Sequence, residues 1–193
     1  PRGLGLRESA MTFLEDLYEV TRQNVQLAVL DGTDAVYLER ISSRGAVNVI
    51  TRVGGRLPLH ATGVGLVLLA HADPALQERV LAGPLRRYTH KTRCDPHELR
   101  RVLAEVRRTG VAVADGQIEL VALSVAAPVR DAGGQVVAAL SVVVPSEGTD
   151  PRSYIPAVRA AARGISRALG APERFRSPEA ELTSHDPGRM LSR

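Results

Sequence analysis

The chain of 193 residues has no tryptophan, and aromatic residues make up only 3% of it. It has one cysteine, Cys94, and one lysine, Lys91. A single cysteine excludes a disulfide framework and fits a reducing compartment. No apolar run approaches the roughly 20 residues that a membrane-spanning helix needs. The first residues also lack the charged-then-apolar build of a secretory signal. Collagen-like, coiled-coil, membrane-spanning and disulfide-stapled classes are therefore set aside, and a cytoplasmic location without membrane contact is expected. A chain of this length holds one domain with extensions, or two small ones. It can bury a core without a disulfide or a metal.

Basic residues outnumber acidic ones, 25 to 21. With lysine almost absent, arginine carries the positive charge, and alanine is plentiful. That pattern fits GC-rich coding and is a weak pointer to nucleic acid. Residues 78–108 hold nine Lys/Arg and four Asp/Glu, and the arginines of this stretch are read as a solvated helix face. A helix-turn-helix needs a turn of about 3–4 residues, whereas a longer segment separates the helices expected here.

The chain begins at Pro1, so an upstream segment is expected to be missing. Leu6, Ala10, Phe13, Leu14, Leu17 and Val20 recur at helical spacing, with Glu15, Asp16 and Glu19 facing outward. Residues 1–22 are thus expected to be a linker helix from a lost domain. Three strand patterns follow: Val25–Leu30, Ala35–Glu39 after the Asp31-Gly32 turn, and Val47–Val53. Helices are expected at about Pro74–Leu81 and Asp95–Thr109. Asp95 is the cap of the second, Pro96 suits its first turn, and Glu98 completes a capping box. Leu99, Val102, Leu103 and Val106 form its buried stripe. Two long strands flank Asp131–Gly134, and a helix runs from about Pro151 to Leu169. Residues 171–193 lack periodicity and are expected to be a flexible tail. The order describes an α+β sandwich with a mostly antiparallel sheet over residues 23–170.

A symmetric Asp131–Gly134 turn would set Ser124 opposite Ser141 and Ala122 opposite Val143. One face of that hairpin then carries Ala122, Ser124, Ala126, Ala139, Ser141 and Val143. The other carries Val121, Leu123, Val125, Leu140, Val142 and Val144, a conventional core. The first face is small with two central hydroxyls, and either a ligand or a closely packed helix would fill it. In the segment from Pro58 to Gly65, Thr62 is placed to cap a helix beginning near Gly63. Thr62 and Gly65 would then frame a seat for an anion at the helix start. The same glycines also suit close packing. His90, Cys94 and His97 lie at chelating distance in sequence, but no fourth ligand is evident and no metal is expected. His60 with Ser124 or Asp115 is the best candidate for a small hydrolase, although nothing is clearly placed to orient the histidine. The small-residue face could equally be an interaction scaffold.

Four segments in order resemble the C-terminal effector-binding domain of IclR-type transcriptional regulators. They are Leu57-Pro58-Leu59-His60-Ala61-Thr62-Gly63-Val64-Gly65, Arg107-Arg108-Thr109-Gly110-Val111-Ala112-Val113-Ala114-Asp115, Val125-Ala126-Ala127-Pro128-Val129-Arg130-Asp131 and Val136-Val137-Ala138-Ala139-Leu140-Ser141-Val142. The resemblance implies a GAF-like or profilin-like fold and a small organic effector, with no cofactor and no enzymatic activity. It also implies homodimers or homotetramers, and DNA contact through an N-terminal winged helix-turn-helix that this chain lacks. It places effector contacts at Gly63, Val64, Ser124, Ser141 and Val143, with an acidic position near Ala114 or Asp115. Ser124 stands where the family often has cysteine, and Ala114 where it often has aspartate. The pocket is thus expected to be less polar than in many relatives.

Overall fold

The computed structural model describes residues 2–42 and 52–172. Among them, six strands form one sheet in the order β3-β2-β1-β6-β5-β4, with each neighbouring pair antiparallel. Strands β1 (Asn24–Asp31) and β2 (Asp34–Ile41) make the first hairpin, and β5 (Ala122–Arg130) and β6 (Val136–Pro145) the last. The short β3 (Arg56–Pro58) and β4 (Ala112–Asp115) form the two edges. Because β1 pairs with β6, distant parts of the chain meet at the centre of the sheet.

Helices cover both faces, as the α+β sandwich requires. On one side α1 (Arg2–Thr21) and α5 (Ile155–Ala168) bury Leu6, Ala10, Leu14, Leu17, Val158 and Ile165 against Val125, Leu140 and Val142. On the other, α2 (Gly63–Ala70), α3 (Pro74–Ala82) and α4 (Pro96–Thr109) pack over Ala126 and Ala139. All eight residues of α2 are buried. A helix apolar all round can exist only where other elements enclose it, and here the sheet and α4 do so. Asp95 caps α4 by accepting from the His97 N–H at 3.0 Å, and Leu99, Leu103 and Val106 are buried. Glu98 stands 3.7 Å from Arg93.

The final hairpin departs from the symmetric turn. Ser124 lies opposite Val143, and Ser141 opposite Ala126. Asp131 N–H donates to the Gln135 carbonyl at 2.9 Å, while its Oδ1 accepts from Gly133 and Gln135 N–H. Gly134, at φ +79°, turns the chain, and an irregularity between Val129 and Arg130 moves the register again. The total slip is even, so every side chain keeps its expected face. Ser124 and Ser141 are diagonal neighbours instead of a directly opposed pair.

Two expected core positions lie in solvent. Val20 is 76% exposed, because the buried stripe of α1 ends at Leu17 and the chain reverses through Arg22 at φ +54°. Val121 is 61% exposed, since β5 begins one residue later. The strand expected over Val47–Val53 falls almost entirely outside the described residues, as does nearly all of the expected tail.

Helices α1 and α5 touch through Gly164, where an added Cβ would overlap the Phe13 ring. Gly164→Ala raises intrinsic helix propensity by about 1 kcal/mol, yet overpacking of this kind typically costs about 1–3 kcal/mol. Net destabilisation is expected in urea denaturation, relieved when Phe13→Ala is added. A second expectation concerns His71. Burial holds its imidazole below the ordinary value, opposed by the bond to the Val67 carbonyl and helped by Arg130 and Arg107. A lowered folded-state value means that protonation favours the unfolded chain. Stability is therefore full above about pH 6.5 and falls as pH drops through that value. His71→Gln should flatten this part of the thermal-stability profile between about pH 7 and pH 5.

Candidate functional site

The start of α2 sits directly on the sheet. Thr62 Oγ1 accepts from the Gly65 N–H at 3.0 Å and donates to the Pro58 carbonyl at 2.9 Å. Its backbone carbonyl accepts from Leu66 N–H. Gly63 N–H donates across to Ser124 Oγ on β5 at 3.1 Å. A side chain at Gly63 would overlap that hydroxyl and press on Ala126 Cβ at 3.3 Å. Gly65 is required for a different reason: a Cβ there would meet the Leu59 backbone at 2.6 Å. Both glycines bring a helix terminus unusually close, one to the sheet and one to its own lead-in.

Beside this contact lies a pocket of about 430 Å³, counted to its open mouth. Gly63, Val64, Ser124, Ser141 and Val143 line it, with Thr62 at the helix cap. The small face of the hairpin is therefore one wall, and the α2 start is another. Gly63 and Gly65 have spent their N–H groups on Ser124 and Thr62. Among the described hydrogen bonds the Val64 N–H has no acceptor, so the helix end offers one donor and its partial positive charge.

Asp115 lies outside the lining. Strand alternation sends Ala114 into the pocket and turns Asp115 away. Its carboxylate accepts from Ser146 Oγ, with Lys91 Nζ at 3.8 Å. Gly65, too, serves the helix cap and does not border the cavity.

Sequence reasoning missed a third wall. Gln26 on β1 is 1% exposed and pairs across the ladder with Ser141. Tyr37 on β2 is 2% exposed and also lines the pocket. Burial pushes its phenol well above the ordinary range, partly offset by a hydrogen bond with the Thr62 hydroxyl. An irregularity in the β1–β2 ladder makes this possible. Glu39 pairs with Leu27 and Tyr37 with Ala28, so Leu38 is extra. Tyr37 consequently faces the pocket while Glu39 faces α1, where it pairs with Arg7. The segment after β4 closes the cavity with Gln117, Ile118 and Glu119. Thr92 fastens it: its hydroxyl donates to the Gln117 carbonyl and accepts from Tyr88 and Thr89 N–H. Arg93 N–H donates to Gln117 Oε1 at 2.9 Å.

The hydrolase alternative finds no geometry. His60 Nε2 donates to the Arg86 carbonyl at 2.8 Å, and its ring tilts against Tyr88. Ser124 Oγ is engaged by Gly63, and His60 is not in the pocket lining. Among the described residues no group of three or more His, Cys, Asp or Glu is placed to hold a metal ion. Cys94 Sγ points to the Thr92 carbonyl, and His97 is exposed. On α4, Arg100 pairs with Glu78 and Arg108 with Glu105, while Arg107 donates to the Ala70 carbonyl.

A three-layer sandwich with a pocket between a helix start and a small-residue sheet face defines a ligand-sensing class of domain. The family model for the bacterial transcriptional regulator IclR C-terminal matches residues 2–167, and the chain belongs to this family. It is 32% identical over 173 residues to the regulator XynR of Escherichia coli, covering 88% of this chain and 69% of that protein. It is 33% identical to the Pca regulon regulatory protein of Pseudomonas putida, spanning 83% of this chain and 57% of the relative. An IclR homologue from Microbacterium hydrocarbonoxydans, solved with 4-hydroxybenzoate, superposes with a TM-score of 0.84 at 43% identity. That match covers 88% of this chain and 70% of the other. The IclR of Thermotoga maritima gives 0.81 at 27% identity, with 86% and 68% covered. The homologues are regulators of transcription, not enzymes.

Thr62→Val removes the α2 cap, the bond to Pro58 and the partner of Tyr37 together. A loss of about 2–3 kcal/mol is expected in urea denaturation, against less than about 1 kcal/mol for Thr62→Ser.

Proposed function

We propose that the chain senses a small organic carboxylate, aromatic in the simplest case, within a cytoplasmic IclR-type regulator. The ligand would sit between the α2 start and the Ser124/Ser141 face, touching Gly63, Val64 and Val143. The observation that carries this reading is the pocket itself: hydroxyls and a helix terminus around an apolar, small-residue floor. The 4-hydroxybenzoate complex of the Microbacterium homologue supports the ligand class. The buried surroundings of the helix end strengthen its attraction for a carboxylate.

In this reading residues 1–22, which include α1, link to a DNA-binding segment, and 23–170 form the sensing domain. Effector binding shifts the balance between arrangements of a homodimer or homotetramer only as far as it prefers one of them. The Arg7–Glu39 pair ties α1 to the strand that carries Tyr37, which gives the pocket a mechanical neighbour in the linker.

The double variant Ser124→Val with Ser141→Val should keep its secondary structure by circular dichroism, melt at a lower temperature because the Gly63 N–H loses its acceptor, and lose the thermal stabilisation that 4-hydroxybenzoate confers. Stabilisation equal to that of the parent chain would discard the pocket. The chain alone should leave the target DNA of the full-length regulator unretarded in a mobility-shift assay. Sequence-specific retardation by this chain would overturn the assignment of DNA contact to another segment.

A further inference from the structure

Two walls of the cavity belong to regular elements, the sheet face and the α2 start. The third, residues 117–119, lies between β4 and β5 outside any helix or strand. Its position therefore depends on individual bonds, and Thr92 supplies the central ones without lining the cavity. Thr92 is 3% exposed, donates to the Gln117 carbonyl, and accepts from Tyr88 N–H at 3.0 Å and Thr89 N–H at 2.9 Å. A hydroxyl has one proton and two lone pairs, and all three are committed here. Thr89 Oγ1 donates to the neighbouring Gly116 carbonyl, and Arg93 N–H donates to Gln117 Oε1. At the other end of the same segment, His60 donates to the Arg86 carbonyl at 2.8 Å, and its ring lies 6.0 Å from that of Tyr88. His60 stands just before the Thr62 cap, so residues 86–93 join the third wall to the lead-in of α2. Apolar packing adds little at the far end of that wall, where Leu120 is 46% and Val121 61% exposed.

We propose that Thr92 is a positioning residue for ligand binding: without touching the ligand, it latches the 117–119 wall shut and sets how long a bound molecule stays. This rests on the reading of the cavity as the effector site. Removing the Thr92 hydroxyl leaves two N–H groups and a carbonyl without their partner, which favours opening of the segment to water. The sheet and α2 keep their own bonds, so the opening is confined to residues 86–93 and 116–121. The third wall is then the route by which a ligand leaves, and its release is governed from outside the cavity.

Thr92→Val keeps the shape of the side chain and removes all three bonds, whereas Thr92→Ser keeps the hydroxyl. In hydrogen–deuterium exchange of the chain without ligand, Thr92→Val should speed the amides of 88–93 and 116–121 by about tenfold. Those of β1, β6 and α2 should exchange as in the parent. With 4-hydroxybenzoate as the probe, Thr92→Val should release it about tenfold faster in stopped-flow displacement. Thr92→Ser should match the parent in both measurements. Thr89→Val, which removes the bond to the Gly116 carbonyl, should move both in the same direction by less, and it carries the test if Thr92→Val fails to fold. Exchange that rises equally in the sheet and α2, or not at all in 116–121, overturns the latch. Fast local exchange with an unchanged release rate overturns its role in retention and leaves the site standing. Failure of 4-hydroxybenzoate to bind the parent chain overturns the site and the retention role together, whatever the exchange shows.

Discussion

The pocket depends on one contact, the Gly63 N–H donating to Ser124 Oγ. It fixes the N-terminus of a buried helix to the middle of a sheet, at a separation that no side chain at position 63 would allow. The contact also sets the direction of the helix end, so its remaining N–H and its partial charge open on the cavity. Thr62 holds the same end from behind by joining the Gly65 N–H, the Pro58 carbonyl and the Tyr37 phenol. A cap that usually serves one helix therefore ties together the helix, its lead-in and strand β2.

The two faces of the sheet divide the work. Leu, Ile and Val from α1 and α5 fill the first face completely. On the second, alanine and serine take the place of bulky side chains, and α2 covers only part of them. Few aromatics were available to fill the remainder, and the one aromatic ring among the described lining residues, Tyr37, borders the space and leaves it open. Low aromatic content and an open pocket are thus two descriptions of the same packing.

Much of this was legible in the residues. The helix around Leu6–Leu17, the Asp95 cap and the alternation of both hairpins follow from local periodicity and turn chemistry. The faces of the last hairpin were right although its register was off, because an even slip preserves side-chain direction. Gly63, Thr62, Ser124 and Ser141 line the cavity, and they stand out in the sequence because their chemistry lies in short windows. Gln26 and Tyr37 were missed because β1 meets β6 only through long-range pairing, and Tyr37 reaches the pocket only through the extra residue Leu38. The choice between Ala114 and Asp115 turned on the phase of a four-residue strand, which so short an element does not announce. Glu119 belongs to a segment with no periodicity at all. Its place follows from the Thr92 and Gln117 bonds that fasten the wall.

The central claim is that a ligand carboxylate occupies the space between the α2 start and the sheet hydroxyls. A crystal structure of this chain grown with 4-hydroxybenzoate tests it most directly. The account predicts carboxylate oxygens within about 3 Å of Ser124 Oγ and the Val64 nitrogen, with the Gly63–Ser124 contact preserved. A ligand bound elsewhere on the chain, with this cavity holding only water, would contradict it.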